Sequence, residues 1–141
     1  MIARRAARPL LLGIALALSV GCVRYPTVTD SGGVRIRTEN GRAVRQGSDV
    51  IVSCEIASTG KYGDVIVAVT TPVARQAQLV DGGGSPIRRL EVPGATTVRF
   101  TADGPHIVLA DLQQPLERGE TFVVTLMFQK SGGIGIVTLL E

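Results

Sequence analysis

From residue 34 onward apolar residues recur at every second position, and turn-forming residues interrupt the pattern at short intervals. Side chains alternate across a strand, so a period of two predicts half-buried β-strands, where a helix would show a period of 3.6. Val34 and Ile36 alternate with Arg35 and Arg37, and Asn40-Gly41 then offers a residue pair suited to a tight hairpin turn with positive φ. Val50, Val52, Cys54 and Ile56 predict one apolar row, with Ser53 and Glu55 on the opposite side. Asp64 to Val69 is nearly continuous β-branched sequence and predicts a central strand buried on both faces, ended by Thr70-Thr71-Pro72. Gln76 to Val80 is a weaker strand, broken off by Asp81-Gly82-Gly83-Gly84-Ser85-Pro86. Further strands are predicted at Leu90 to Val92, Thr97 to Ala102, His106 to Ala110, Thr121 to Phe128 and Ile134 to Leu140. No stretch has the pattern of a long helix. About eight short strands in residues 34–141 therefore predict an all-β, antiparallel two-sheet or Greek-key sandwich, the economical way to hide the apolar rows.

The N-terminus follows a different rule. Arg4, Arg5 and Arg8 precede an apolar run from Leu10 to Val20 that is too short to span a bilayer as a stable helix. This is the pattern of a cleavable signal peptide, residues 1–21. The run ends in Ser19-Val20-Gly21-Cys22, which resembles the lipobox that directs lipid attachment in bacterial lipoproteins. The resemblance implies that Cys22 becomes the lipidated first residue of an extracytoplasmic, membrane-anchored protein. Residues 22–33 carry Pro26, Asp30, Ser31 and a glycine pair without periodicity and read as a tether. An unlipidated secreted protein with a Cys22 to Cys54 disulfide is the alternative, since these are the two cysteines of the chain and export permits the bond.

Charge changes the picture once the signal is set aside. The whole chain has 15 basic and 12 acidic residues, but three arginines leave with the signal, and the remainder balances. A neutral domain lacks the electrostatic footprint of a nucleic-acid binder. The chemistry available is sparse. There is one histidine, His106, no tryptophan and no close carboxylate pair, so catalytic triads, two-carboxylate sites and histidine-rich zinc sites are all hard to assemble. The glycine run at 82–84 lacks the Lys-Ser/Thr that a phosphate-binding loop needs. Met127 alternates with apolar residues and reads as core filler. The sequence points away from an enzyme.

Gly104-Pro105-His106-Ile107-Val108, followed by Leu112-Gln113-Gln114-Pro115-Leu116-Glu117-Arg118-Gly119-Glu120 and Thr125-Leu126-Met127-Phe128, resembles the PCuAC copper-chaperone family, and the likeness extends over roughly residues 34–141. The resemblance implies a cupredoxin-like β-sandwich, in agreement with the alternation. It also implies copper(I) held by two histidines and two methionines, soft thioethers with imidazole being suited to that ion. His106 matches one family histidine. The paired methionine position is Val108, the other histidine falls near Val80, and the other methionine falls near Gly84 or Ser85. Two functions follow from this partial match. One is copper(I) binding at His106 and delivery to a cuproenzyme such as an oxidase. The other is a diverged module that contacts proteins of the cell envelope without metal.

Overall fold

The computed structural model describes residues 33–141, which form nine strands and no helix. The signal peptide, Cys22 and almost all of the tether lie outside the described residues, as does any pairing of Cys22 with Cys54. In chain order the strands are β1 (Ile36–Gln46), β2 (Asp49–Ser58), β3 (Asp64–Thr70), β4 (Ala74–Val80), β5 (Leu90–Val92), β6 (Thr96–Phe100), β7 (His106–Leu112), β8 (Thr121–Phe128) and β9 (Gly132–Leu140). Eight of them hydrogen-bond in one path, β4-β7-β2-β1-β9-β8-β3-β5, and β6 joins β2 beside β7. The path curls so that its two halves face each other as the layers of a sandwich. All nine strands and the core lie within residues 36–140, so a chain started at residue 23 keeps the whole hydrophobic interior.

The alternation drives this arrangement. Along β2, Val50, Val52, Cys54 and Ile56 are all buried, as expected, and they meet Ile107 and Leu109 of β7, Phe100 of β6, and Val124 and Leu126 of β8. Each such aliphatic side chain withdrawn from water contributes roughly 1.5–3 kcal/mol. Cys54 packs as a small hydrophobe opposite Phe100. Burial pushes its thiol up to about 12, with the charge of Glu55 adding to the effect.

Three expectations are corrected. Asn40-Gly41 is not a hairpin turn. β1 runs straight through it with a bulge between Glu39 and Arg42, and the turn to β2 falls at Gly47-Ser48, where Gly47 has φ 63°. Asn40 does adopt positive φ, at 55°, but it does so within the bulge. The reason is the neighbouring strand: a Cβ on Gly41 would lie 2.4 Å from the Val137 carbonyl oxygen, so glycine is what lets β9 approach. The sheet is also not wholly antiparallel, because β1 pairs β9 in parallel through Gly41, Arg42 and Ala43 against Thr138, Leu139 and Leu140. Finally, β3 is not buried on both faces. Asp64 and Ile66 are covered, but the strand bulges between Ile66 and Ala68, and Val67 is 39% exposed because only one layer packs against it.

Candidate functional site

β7 opens with His106, and its position is set by the turn before it. Thr101 N–H donates to the Pro105 carbonyl at 3.0 Å, and Gly104 N–H donates to Thr101 Oγ1 at 3.1 Å, which closes residues 101–105 into a tight loop. His106 is 8% exposed, and its Nδ1 lies 2.9 Å from the Gly104 carbonyl oxygen. A carbonyl can only accept, so Nδ1 carries the proton and Nε2 keeps the lone pair. An imidazole fixed this way suits a structural ring and a metal ligand equally.

The residues around the ring decide between these roles. β4 and β7 are antiparallel neighbours, with Val80 opposite His106 and Gln78 opposite Val108. Directly opposed residues share one side of the sheet, with Cβ atoms about 4.5–5.5 Å apart. The fold thus brings together His106, Val108 and Val80, three of the four positions singled out by their resemblance to a copper site, and two of these are hydrocarbons. Val80 is 4% exposed. The fourth position, Gly84 or Ser85, lies in the 81–86 loop, whose polar groups are already engaged: Asp81 Oδ1 accepts from the N–H groups of Gly83 at 3.0 Å and Ser85 at 2.9 Å. Gly84 has φ 85°, and a Cβ on Gly82 would stand 2.3 Å from the Asp103 carbonyl oxygen. These glycines serve the turn and its close packing on the 101–104 loop.

Neither of the two sulfur atoms among the described residues, those of Cys54 and Met127, repairs the set. Cys54 shares the inward side of β2 with Val52, which opposes Ile107, so the alternation puts Cys54 and His106 on opposite sides of the sheet. Met127 was expected in the core. It is instead half-buried on the outward side of β8, because Val124, Leu126 and Phe128 occupy the inward one. Among the described residues no three of His, Cys, Asp or Glu come together to hold a metal ion. The side chains around His106 do not fit a copper(I) site of two imidazoles and two thioethers.

Two further features were not foreseen. Asp64 is 3% exposed and accepts four hydrogen bonds from the β8–β9 turn and its own strand: Val65 N–H at 2.8 Å and Lys130 N–H at 2.9 Å on Oδ1, Ser131 N–H at 2.8 Å and Ser131 Oγ at 2.7 Å on Oδ2. Burial works against its charge, but the Ser131 hydroxyl and the three backbone N–H groups outweigh that and hold its carboxyl below the usual range. The second feature is the outward side of β8 and β9. Val123 opposes Val137, with Leu139 next on the same side of β9, at 43%, 69% and 42% exposure, and on β1 Val44, 52% exposed, faces the same way two residues beyond Arg42, the partner of Leu139. The signal for this face was present, since Phe122-Val123-Val124 and Ile136-Val137 are apolar at both parities of the alternation.

The comparisons with known proteins agree with the architecture. The copper-bound PCuAC domain from PmoF2 superposes with a TM-score of 0.69 at 18% identity, over 77% of this chain and 94% of that one. The apo PCuAC domain from PmoF1 gives 0.67 at 22% identity, over 77% and 95%. The copper(I) form of DR1885 from Deinococcus radiodurans gives 0.63 at 20% identity, over 78% of each chain. At these identities the likeness establishes a shared fold, that of the PCuAC sandwich. Among the curated proteins none matches the sequence. Residues 28–138 match the LpqE-like family, which spans every strand except the last two residues of β9. The chain therefore belongs to the LpqE-like family.

Proposed function

We propose that the chain is an extracytoplasmic lipoprotein, held at the cell membrane through a lipidated Cys22, whose PCuAC-type sandwich works as a protein-contact module of the cell envelope and not as a copper carrier. One observation carries this reading: Val80 and Val108 flank His106 on paired strands, so the positions that would offer thioether and imidazole offer methyl groups. Copper(I) selectivity comes from a full set of soft ligands in the right geometry, and one imidazole does not supply it. The outward face of Val44, Val123, Val137 and Leu139 is the surface such a module would present. Val123, Val137 and Leu139 adjoin one another on β8 and β9, with the Arg42–Glu141 ion pair between them and Val44, and an exposed apolar group rimmed by charge is the pattern of an interaction site. Residues 23–33, fully extended, reach roughly 36–40 Å, which keeps the domain close to the membrane surface. An envelope protein, a cuproenzyme such as an oxidase among them, is the partner class within that reach. Catalysis has no place in this reading.

A competition titration of the chain from residue 23 against a calibrated copper(I) chelator tests it. The chelator should keep its copper at every protein ratio, and His106→Ala should titrate as the wild type does. The anchor is tested separately: Cys22→Ser should move the protein from the membrane fraction to the soluble one.

A second reading, copper(I) binding and delivery through His106, has one observation in its favour, the Nδ1 hydrogen bond to Gly104 that leaves Nε2 able to bind a metal. Wild-type protein that strips copper from the chelator, with His106→Ala unable to do so, would establish it over the first.

A further inference from the structure

The strands run between two ends of the sandwich, and charge separates along that axis. At one end β1 starts, β2 stops, and the 59–63, 93–95 and 129–131 turns meet. Tyr62 N–H donates to the Gly33 carbonyl at 3.1 Å, Ala95 N–H to the Gly60 carbonyl at 2.9 Å, and Lys130 N–H to Asp64 Oδ1 at 2.9 Å. Arg35, Arg37, Lys61, Arg89 and Lys130 are all exposed there, with Arg89 held to this end by its bond to Gln129. The acids beside them are Glu91 and Asp64, and Asp64 is buried under its four hydrogen bonds. The opposite end, around residues 42–49, 71–75, 111–120 and 139–141, holds Asp49, Asp111, Glu117, Glu120 and Glu141 against Arg42, Arg45, Arg75 and Arg118. Arg75 pairs with Asp111 and Arg42 with Glu141, so little positive charge is left over at that end. The excess of base gathers where the tether joins: a Cβ on Gly33, the first described residue, would lie 3.4 Å from Lys61 Cβ and 3.7 Å from Tyr62 Cδ2. Tyr62 stands out from this basic tip, 52% exposed, with Lys61 Nζ 5.4 Å from its ring centroid.

We propose that this tip docks on the headgroups of an anionic bilayer, so that the strands stand end-on to the membrane. The proposal rests on the reading that Cys22 carries the lipid. Residues 23–33 reach roughly 36–40 Å when extended, and the end they leave from is the one held nearest the lipid. Charge complementarity then fixes the contact. Basic residues are drawn to an anionic leaflet within about a Debye length, roughly 8 Å at physiological salt, and the acidic far end is pushed away from it. Tyr62 suits the same boundary, since its ring is apolar and its hydroxyl wet. The Lys61 stem lies along that ring and carries its ammonium to the phosphates. In this stance the outward side of β8 and β9, with Val123, Val137 and Leu139, faces sideways and stays open to an envelope protein.

The test couples the chain from Cys22, through that thiol, to a maleimide lipid in vesicles, Cys54 being protected by its burial. Docking is thus read whether or not the cell lipidates Cys22, and the fractionation of Cys22→Ser judges the anchor by itself, so either reading can fail alone. The sequence has no tryptophan, which lets Tyr62→Trp and Glu117→Trp each report on one end. In vesicles of phosphatidylglycerol and phosphatidylcholine with brominated acyl chains, the emission of Tyr62→Trp should be quenched and that of Glu117→Trp should not. Brominated phosphatidylcholine alone should quench neither. Adding Lys61→Gln and Lys130→Gln to Tyr62→Trp should lower the docking constant roughly 30-fold, at about five-fold for each basic residue. Salt at about 1 M, which shortens the screening length to about 3 Å, should release the tip as well. Four results would each overturn the proposal: no quenching of Tyr62→Trp, equal quenching of Glu117→Trp, quenching as strong in phosphatidylcholine alone, or quenching that survives the two glutamine substitutions. A Tyr62→Trp emission that shifts with protein concentration in the absence of vesicles would also overturn it, by giving this end to a second copy of the chain.

Discussion

Replacing Asp64 separates the two things its carboxylate does, accepting hydrogen bonds and carrying charge. In the wild type each oxygen takes two donors, and the four bonds tie the β8–β9 turn to the start of β3. Hydrogen bonds to a charged group are worth about 1.5–3 kcal/mol each, but bonds that share one acceptor group are not additive. Asp64→Ala strands three backbone N–H groups in a poorly hydrated place, and we expect a loss of about 3 kcal/mol. Asp64→Asn keeps one oxygen and its two donors. Its NH₂ then faces Ser131, where the hydroxyl can turn to accept but the N–H cannot, for a loss of about 1.5 kcal/mol. At about 4 °C per kcal/mol for a domain of this size, the melting temperature should fall by about 12 °C and 6 °C. The pH dependence supplies the sharper check. The folded-state value lies below the unfolded one, so the carboxylate's contribution is complete above about pH 4 and is lost as pH falls through the folded value. Thermal melts from pH 7 to pH 2.5 should therefore show the gap between wild type and Asp64→Asn closing on the acid side. A gap that stays constant across this range would refute the assignment of charge to Asp64's role.

Three other perturbations follow from local geometry. Ala95 sits at φ 54° with its N–H bonded to the Gly60 carbonyl at 2.9 Å, so Ala95→Gly should keep the bond, relieve the backbone and raise stability by about 0.5–1 kcal/mol, read from denaturant midpoints. Cys54, buried and with its ionisation pushed up to about 12, should resist maleimide at pH 8 in native protein and react at the rate of global unfolding once denaturant is added. Gly41→Ala drives a Cβ into the Val137 carbonyl and should cost at least 2 kcal/mol, visible as a lowered midpoint with the strongest amide-exchange change along β1 and β9.

How far the residues announced the molecule depends on which interaction fixed each part. Strands held by strict alternation were legible: Leu90–Val92 and Thr121–Phe128 fall where the pattern put them, and the Val50 to Ile56 row faces inward. Asn40-Gly41 misled because positive φ serves a bulge as well as a turn, and only the approach of β9, some hundred residues on, selects between them. The β-branched run from Asp64 misled because apolar content says how much a strand can bury, and a two-layer architecture covers it on one side. The candidate site was legible as a set of positions. His106, Val80 and Val108 were named from a resemblance and lie together on two paired strands. The Asp64 anchor was not legible, since its donors are backbone groups of a turn that no side-chain pattern locates.

The parallel contact of Gly41–Ala43 with Thr138–Leu140 sets an order of events for the growing polypeptide. The first strand to be made waits for the final stretch of the described chain before its second edge is covered. Until then one row of its amide and carbonyl groups stays open to water or to a chaperone, and closure spans nearly the full length of the domain. Long-range closure of this kind slows folding. Shortening the chain by only the residues after Ile136 should thus leave a protein that is synthesised almost whole yet never reaches its native state.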